Sequence, residues 1–537
     1  MDNISLNVLD WVCVALYVVF VFAVALRVRL GLKTGRDYFL AGQNMHWIVV
    51  AISMYATLFS TISFVGVPGE AYENGVLLSI RLLATIIFTP LAVYIFLRFF
   101  YQAGQFTCYQ YLEKRFDHRV RITGSLIFMI TRLLYAGTVF YAAAKVFEAM
   151  VGWSPTFTIL VVGAFAVLYT GLGGMRAVMI TDAVQSLVLI GGVCVLLWKL
   201  SSMIGYDFAG MWSYASEQGR TFGRVLEPEF YSFDPMVRFT LWLWLLGGLM
   251  GPATQYGADQ LVVQRLLSSK SYKEAKRAVW TKIAFTPIPV AMIWAVGLLL
   301  YYYYAQVQPL PAEIGPDQVL GYFIQDHLPA PVPGLIVAAM LAALMSTVDS
   351  TVNSLSTVSS VDILQRLGWV KTSEEGMLKL GRRLTWVWGG LVIALALLLV
   401  WAGKGIESTV LEVVSVWATL WGVLLMVMLA GVLTRYAKRR PALLALAVGM
   451  AVNLTLPWWL YYGTPEDERV SFLLIGVPGW IASGLIVFIG SLIDPEPAPD
   501  TTGLALRSVF SRRKHTRFEP RDSQTPTPER EAESTSA

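Results

Sequence analysis

"AALMSTVDSTVNSLSTVSSVDI" occupies residues 342–363 and sits in one of the longer apolar-rich parts of the chain. It carries an aspartate, an asparagine and a crowd of hydroxyls. Placed on a helix, Ser346, Asp349, Ser350, Asn353 and Thr357 follow the i, i+3, i+4, i+7 rule and stack on one face. Such a stripe cannot face lipid, because a carboxylate at membrane depth costs several kcal/mol unless protonated, paired or bound to a cation. Hydroxyls and a carboxylate on adjacent turns make the oxygen-only cluster that a hard cation prefers. Ser354 and Ser359 have a plainer reading, as back-bonded hydroxyls on their own helix.

The surroundings make this a membrane protein. The 537 residues are 56% hydrophobic and 14% charged, with mean hydropathy +0.59, whereas an ordinary soluble domain is about 25% charged. Apolar runs of spanning length recur throughout. Thirteen are read, near 8–28, 46–67, 77–99, 122–150, 157–172, 178–200, 236–257, 280–304, 331–360, 384–402, 408–432, 442–462 and 472–493. The net charge of +5 sits in short loops and gives no sign of nucleic-acid binding. Cys13, Cys108 and Cys194 show no paired or metal-ligand spacing.

The first run lacks a basic region before it and a cleavage site after it. Arg27, Arg29, Lys33 and Arg36 follow it instead, so it stays as a helix with the N-terminus outside. Thirteen spans then put "LEKRFDHRVR", "QRLLSSKSYKEAKR", "QRLGWVKTSEEGMLKLGRR" and "TRYAKRR" on the cytoplasmic side, and "PAEIGPDQ" and "TPEDER" opposite. Residues 494–537 read as a disordered cytoplasmic tail. With the first span set aside, "STISFVGVPG" and "GGLMGPATQYG" are Gly/Pro-interrupted segments five spans apart. Paired broken helices in two inverted halves point to a transporter site at the repeat interface; kinks for helix packing are the bland reading. In "YTGLGGMRAVMITDAVQ", the glycines and Arg176 suit a tight cytoplasmic turn. Asp182 then either caps the next helix or finds a partner inside the bundle; its depth in the apolar run favours the partner.

Four segments, "DYFLAGQNMHW", "GLGGMRAVMITDAVQ", "DQLVVQRLLSSKSYKEAKR" and "LSTVSSVDI", resemble the sodium:solute symporters in sequence, spacing and membrane side. The resemblance spans residues 37–440. It implies an all-α polytopic membrane protein with a LeuT-type five-plus-five inverted repeat, one extra helix within 1–36, two more within 441–493, and uptake driven by Na+ through alternating access. It also implies a sodium site from the carbonyls of Ala56, Phe59 and Ala343 with the hydroxyls of Ser346 and Thr347. A second site would use Asp182, Ser346, Asp349 and Ser350; Asp349 stands where the sialic acid transporters use a hydroxyl, which leaves two acids facing one sodium.

The solute is less legible. Leu82 and Thr286 stand where glucose-type members use a glutamate and a lysine, which disfavours a hexose. Arg132 lies about three turns inside the membrane in "TRLLYAGTVFYAAA", which looks more like the monocarboxylate and vitamin carriers. Arg132 and Arg81 each have two readings, as guanidinium partners of a substrate carboxylate or as snorkelling side chains. Tyr135 aligns with the sialic acid transporters' carboxylate-binding arginine. Ser60, Thr61, Ser63, Gln255 and Tyr256 can hydrogen-bond any polar solute. The expected function is sodium-coupled import of a small, carboxylate-bearing solute across the plasma membrane, with no obligate protein partner. A sugar or other neutral solute is the alternative, and so is proton coupling through Asp349 and Asp182. No HExxH, Ser/Lys or paired-Asp pattern suggests an enzyme.

Overall fold

A computed structural model describes residues 6–59, 61–102, 106–370, 373–402, 420–457, 459, 463–465, 469–497, 501 and 504–506. Its helices are α1 (Val8–Arg29), α2 (Gly35–Leu40), α3 (Trp47–Leu58), α4 (Thr61–Asn74), α5 (Arg81–Gln102), α6 (Tyr109–Arg115), α7 (His118–Val151), α8 (Pro155–Met203), α9 (Phe208–Glu217) and α10 (Leu241–Gly257). They continue as α11 (Gln260–Leu267), α12 (Tyr272–Phe285), α13 (Pro287–Gln306), α14 (Val319–His327), α15 (Val332–Val358), α16 (Glu374–Ala402), α17 (Trp421–Leu433), α18 (Arg439–Pro457) and α19 (Val477–Ile493). The expected thirteen spans are recovered in order when α3/α4 and α12/α13 each count once and α8 twice. Residues 403–419 of the eleventh span, the end of the twelfth, and most of the tail lie outside the described residues.

The stripe helix α15 is central. Every side chain from Ile336 to Asp362 is buried, and α8, α1, α16 and α7 surround it. The glycine-rich turn before Asp182 is a bend rather than a loop. Helix α8 runs from Pro155 to Met203 and changes direction at Gly174 (φ 57°, ψ −159°), a conformation open only to glycine. A Cβ there would lie 2.6 Å from the ring of Tyr38. The Tyr38 hydroxyl accounts for the carbonyls freed at the bend, lying 3.3 Å from the Gly171 oxygen and 2.8 Å from Thr385 Oγ1.

The two expected interruptions fall beside their Gly/Pro segments rather than within them. Helix α3 stops at Leu58, Phe59 is extended (φ −109°, ψ 106°), and α4 then runs through Pro68. In the second half, α10 runs through Pro252 to Gly257 and stops at Ala258 and Asp259. There the Asp259 carboxylate caps α11 by accepting from Leu261 N at 3.0 Å. A proline inside a membrane helix frees one carbonyl, which neighbouring helices can satisfy. A side chain that captures the next helix's N–H groups ends a helix more decisively.

The basic loop "LEKRFDHRVR" carries two buried guanidinium groups. Arg115 donates to the carbonyls of Gly431, Ala437 and Thr434 at 2.9–3.0 Å. Arg121 joins Glu113 at 2.6 Å and Asp362 at 2.6 Å, and Glu113 also holds Arg366 at 2.6 Å. Partial burial pushes the Glu113 carboxyl up, but the bonds from Arg121 and Arg366 outweigh it and hold it below the usual range.

Helix α1 packs against α8 and α15. Asp10, 2% exposed, accepts from Gly334 N at 2.8 Å. Seven residues on, the Tyr17 hydroxyl accepts from Gln185 Nε2 at 3.1 Å and lies 3.6 Å from the Met345 sulfur.

Candidate ion and solute sites

The α3/α4 break faces the upper part of the α15 stripe. Ser346 Oγ lies 2.9 Å from the Ala343 oxygen and 3.4 Å from the Ala56 oxygen, and Thr347 Oγ1 lies 3.1 Å from the Ala343 oxygen. Phe59 N donates to the Ala56 oxygen at 3.2 Å, so the extended Phe59 turns its own carbonyl out of the helical ladder beside them. Ala56, Ala343, Ser346 and Thr347 meet here with their oxygens, and Phe59 adjoins them through its N–H on the Ala56 oxygen. That donor set suits a hard monovalent cation.

One turn further along, the two acids are joined through an arginine. Asp182 Oδ2 accepts from Ser53 Oγ at 2.5 Å and from Arg265 Nη2 at 2.9 Å. The same Arg265 nitrogen reaches Ser350 Oγ at 2.5 Å, and Ser350 Oγ donates to Asp349 Oδ1 at 3.1 Å. The second Asp349 oxygen accepts from the Tyr169 hydroxyl. Asp182 and Arg265 are fully buried and neutralise one another. Asp349, equally buried, meets hydroxyls alone among the described residues. Of the two acids, Asp349 is therefore the one without a basic partner among the described residues. Below it the stripe closes up, because Gln264 Nε2 donates to Asn353 Oδ1 and Thr357 Oγ1 at 2.9 Å and to the Phe39 oxygen at 2.7 Å.

The solute candidates divide. Thr61 Oγ1 donates to the Met340 oxygen at 2.9 Å; Ser63 is half-buried nearby on α4; Ser60 lies outside the described residues. Arg81 is exposed at the start of α5. Arg132 does not snorkel: Asp259 holds its Nη2 at 2.6 Å, and its guanidinium sits 3.8 Å from the Trp421 ring centroid. Tyr135 packs on the same tryptophan at 5.2 Å. Gln255 has a buried Oε1 that meets no hydrogen-bond donor among the described residues, and Tyr256 is buried with its hydroxyl 3.3 Å from Lys282 Nζ.

A model of the Sodium:solute symporter family matches residues 38–449. The chain belongs to that family. This sodium:solute symporter is 29% identical to a sodium-dependent multivitamin transporter of Oryctolagus cuniculus over 86% of its own length and 71% of the relative's. It is 26% identical to the sodium/sialic acid symporter NanT of Aliivibrio fischeri, over 92% of this chain and 94% of the other. The solved substrate-bound, outward-open structure of a Na+-coupled sialic acid symporter superposes with a TM-score of 0.82 at 25% identity, covering 92% of this chain and 99% of that one. The inverted-repeat fold and sodium as the coupling ion follow.

Within this symporter, sequence reasoning missed Asp259, Gln264 and Arg265. All three stand in "DQLVVQRLLSSK", which was valued as a motif and as loop charge, not as side chains. The signal was there: Asp259 caps α11, and Gln264 and Arg265 interrupt its apolar residues, yet all eight residues Gln260–Leu267 are buried. Tyr169, the partner of Asp349, sits among apolar residues in α8 and gave no signal.

Proposed function

We propose that this symporter imports a small carboxylate-bearing solute together with sodium bound at Ala56, Phe59, Ala343, Ser346 and Thr347. The observation that carries the ion site is the approach of Ser346 Oγ to the carbonyls of both Ala56 and Ala343, across the break in α3/α4. Helix termini and unwound carbonyls at such breaks are the ion ligands of repeat-built transporters. For the solute class, two named relatives support an acid: the sialic acid symporter and a sodium-coupled monocarboxylate transporter of Mus musculus, 28% identical.

A second sodium would bind at Asp349 with Ser350 and Ser346, where the acid without a basic partner lies. In this reading Asp182 is a positioning residue. It fixes Arg265, which holds α11 against α8 and α15. Three ties fasten α11 and its cap to that scaffold: Asp259 to Arg132 on α7, Gln264 to Asn353 and Thr357 on α15, and Arg265 to Asp182 and Ser350. Because Ser350 touches both Arg265 and Asp349, an ion at Asp349 bears directly on the ties that keep this half closed. Alternating access is then the making and release of the three ties. With the N-terminus outside and residues 494–537 in the cytoplasm, α11 closes the cytoplasmic side at the plasma membrane.

Proton coupling is the second reading, favoured by the absence of a basic partner on Asp349 among the described residues. Proteoliposome uptake under separate sodium and pH gradients separates the two. The expected result is sodium dependence and indifference to pH, with Ser346→Ala plus Thr347→Ala abolishing sodium activation. Uptake by the wild type driven by a pH gradient in sodium-free buffer refutes the sodium site.

A further inference from the structure

Among the described residues five basic side chains are buried: Arg115, Arg121, Arg132, Arg265 and Lys282. Four are satisfied. Arg115 has three carbonyls, and Arg121, Arg132 and Arg265 have carboxylates of the protein's own. Lys282 on α12 is 4% exposed, and its amine meets only the Tyr256 hydroxyl at 3.3 Å, beside the Tyr256 ring. It does not snorkel. Lys273, Lys276 and Arg277 on the preceding turns are exposed, whereas Lys282 turns inward onto α10. An ammonium taken out of water needs an anion or several strong acceptors, and one hydroxyl supplies neither.

We propose that Lys282 is the counter-charge for the carboxylate of the transported solute. This rests on the carboxylate reading above and replaces Arg132, whose charge Asp259 already meets, as the group that binds the acid. The surroundings are polar in the required sense. Tyr256 accepts from the amine, so its own O–H remains to donate. Thr286, four residues beyond Lys282 at the C-cap of α12, has a buried hydroxyl without a partner among the described residues. A carboxylate seated there receives one charge-assisted N–H bond and two O–H bonds, the strong arrangement for an anion. Across on α3, Tyr55 packs edge-on against Phe285 at 5.4 Å, and its hydroxyl is likewise buried and unpartnered among the described residues. That places the subsite beside α3, which carries Ala56 and ends just before Phe59, where solute and sodium can be bound together.

The test is sodium-dependent equilibrium binding to the purified full chain, read by tryptophan fluorescence. Lactate, pyruvate and benzoate are each compared with their amides, in wild type, Lys282→Gln and Lys282→Arg. Wild type should prefer the acids. Lys282→Gln should weaken acid binding about 30- to 100-fold with amides unchanged, and Lys282→Arg should keep the preference for acids. An acid preference that Lys282→Gln leaves intact overturns the role of Lys282 while the carboxylate reading stands. A wild type that binds amides as well as acids overturns both. If Lys282→Gln does not fold, judged by sodium-induced thermal stabilisation, Tyr256→Phe and Thr286→Val take its place. Each should lose about tenfold in acid affinity, and no loss in either overturns the proposal.

Discussion

Replacing Asp259 by Asn isolates one of the ties on α11. Asn is as good a helix cap as Asp, so the bond to Leu261 N is kept and only the charge opposite Arg132 goes. The pair it breaks is 2.6 Å long, with both side chains 5% exposed. A hydrogen bond to a charged partner is worth about 1.5–3 kcal/mol, and Arg132 keeps its stacking on Trp421. A loss of about 2 kcal/mol from the closed arrangement shifts the balance toward the open one about 30-fold. The protein carries its own reporter. Cys108 is buried against this break, with its backbone N donating to Gln260 Oε1 at 2.9 Å and its sulfur 4.0 Å from the Ala258 oxygen. In a Cys13→Ser, Cys194→Ser background, alkylation of Cys108 by a maleimide should therefore quicken about 30-fold in Asp259→Asn. Arg132→Gln should act similarly, and the double variant should add little more. Unchanged Cys108 reactivity in Asp259→Asn would refute the assignment of this pair to closure.

The acids of the second site should part company under substitution. Asp182→Asn leaves Arg265 buried without its carboxylate and should cost about 3–5 kcal/mol of stability, seen as a fall in thermal unfolding temperature. Asp349→Asn should leave stability nearly intact, raise the sodium concentration for half-maximal uptake, and lower the charge moved per solute in reversal-potential measurements. Gly174→Ala puts a Cβ 2.6 Å from the Tyr38 ring in a glycine-only conformation and should destabilise by about 2–4 kcal/mol, measurable in the same thermal assay.

The spans, their order and the α15 stripe were legible because a bilayer imposes length and because no polar stripe survives facing lipid. The stripe's hydroxyls were legible for the same reason, whereas the five proposed sodium ligands rest on the family resemblance and not on spacing. What the sequence hid was pairing. Asp182 and Arg265 are 83 residues apart, and Arg132 and Asp259 are 127 apart; periodicity within a helix does not report which side chain faces which across the bundle. Arginine in a short basic segment looks like topology charge whether it stays in water or folds inward, so Arg265 was counted with the loop. Gly/Pro content marked the right segments, but the breaks moved to the neighbouring residues, because the capping carboxylate of Asp259 and the extended Phe59 decide where the ladder ends.

The contacts of α1 bear on how the protein is made. Tyr17 meets Met345 across 328 residues, and Asp10 meets Gly334 across 324. At roughly 5–20 residues per second of synthesis, α1 waits roughly 15–65 s in the bilayer before its partners on α15 exist. Its composition suits the wait. Val8, Leu9, Val12, Leu16 and Val19 face outward while Val14, Val21 and Ala25 face the core, so either side is at home in lipid. Asp10 already closes the cap of α1 on Asn7 N, and Tyr17 can meet Gln185 once α8 is inserted, but their contacts with Gly334 and Met345 wait for α15. Completing the docking of α1 is therefore a late step of assembly, and a chain arrested before residue 334 should hold its first helix by α8 alone.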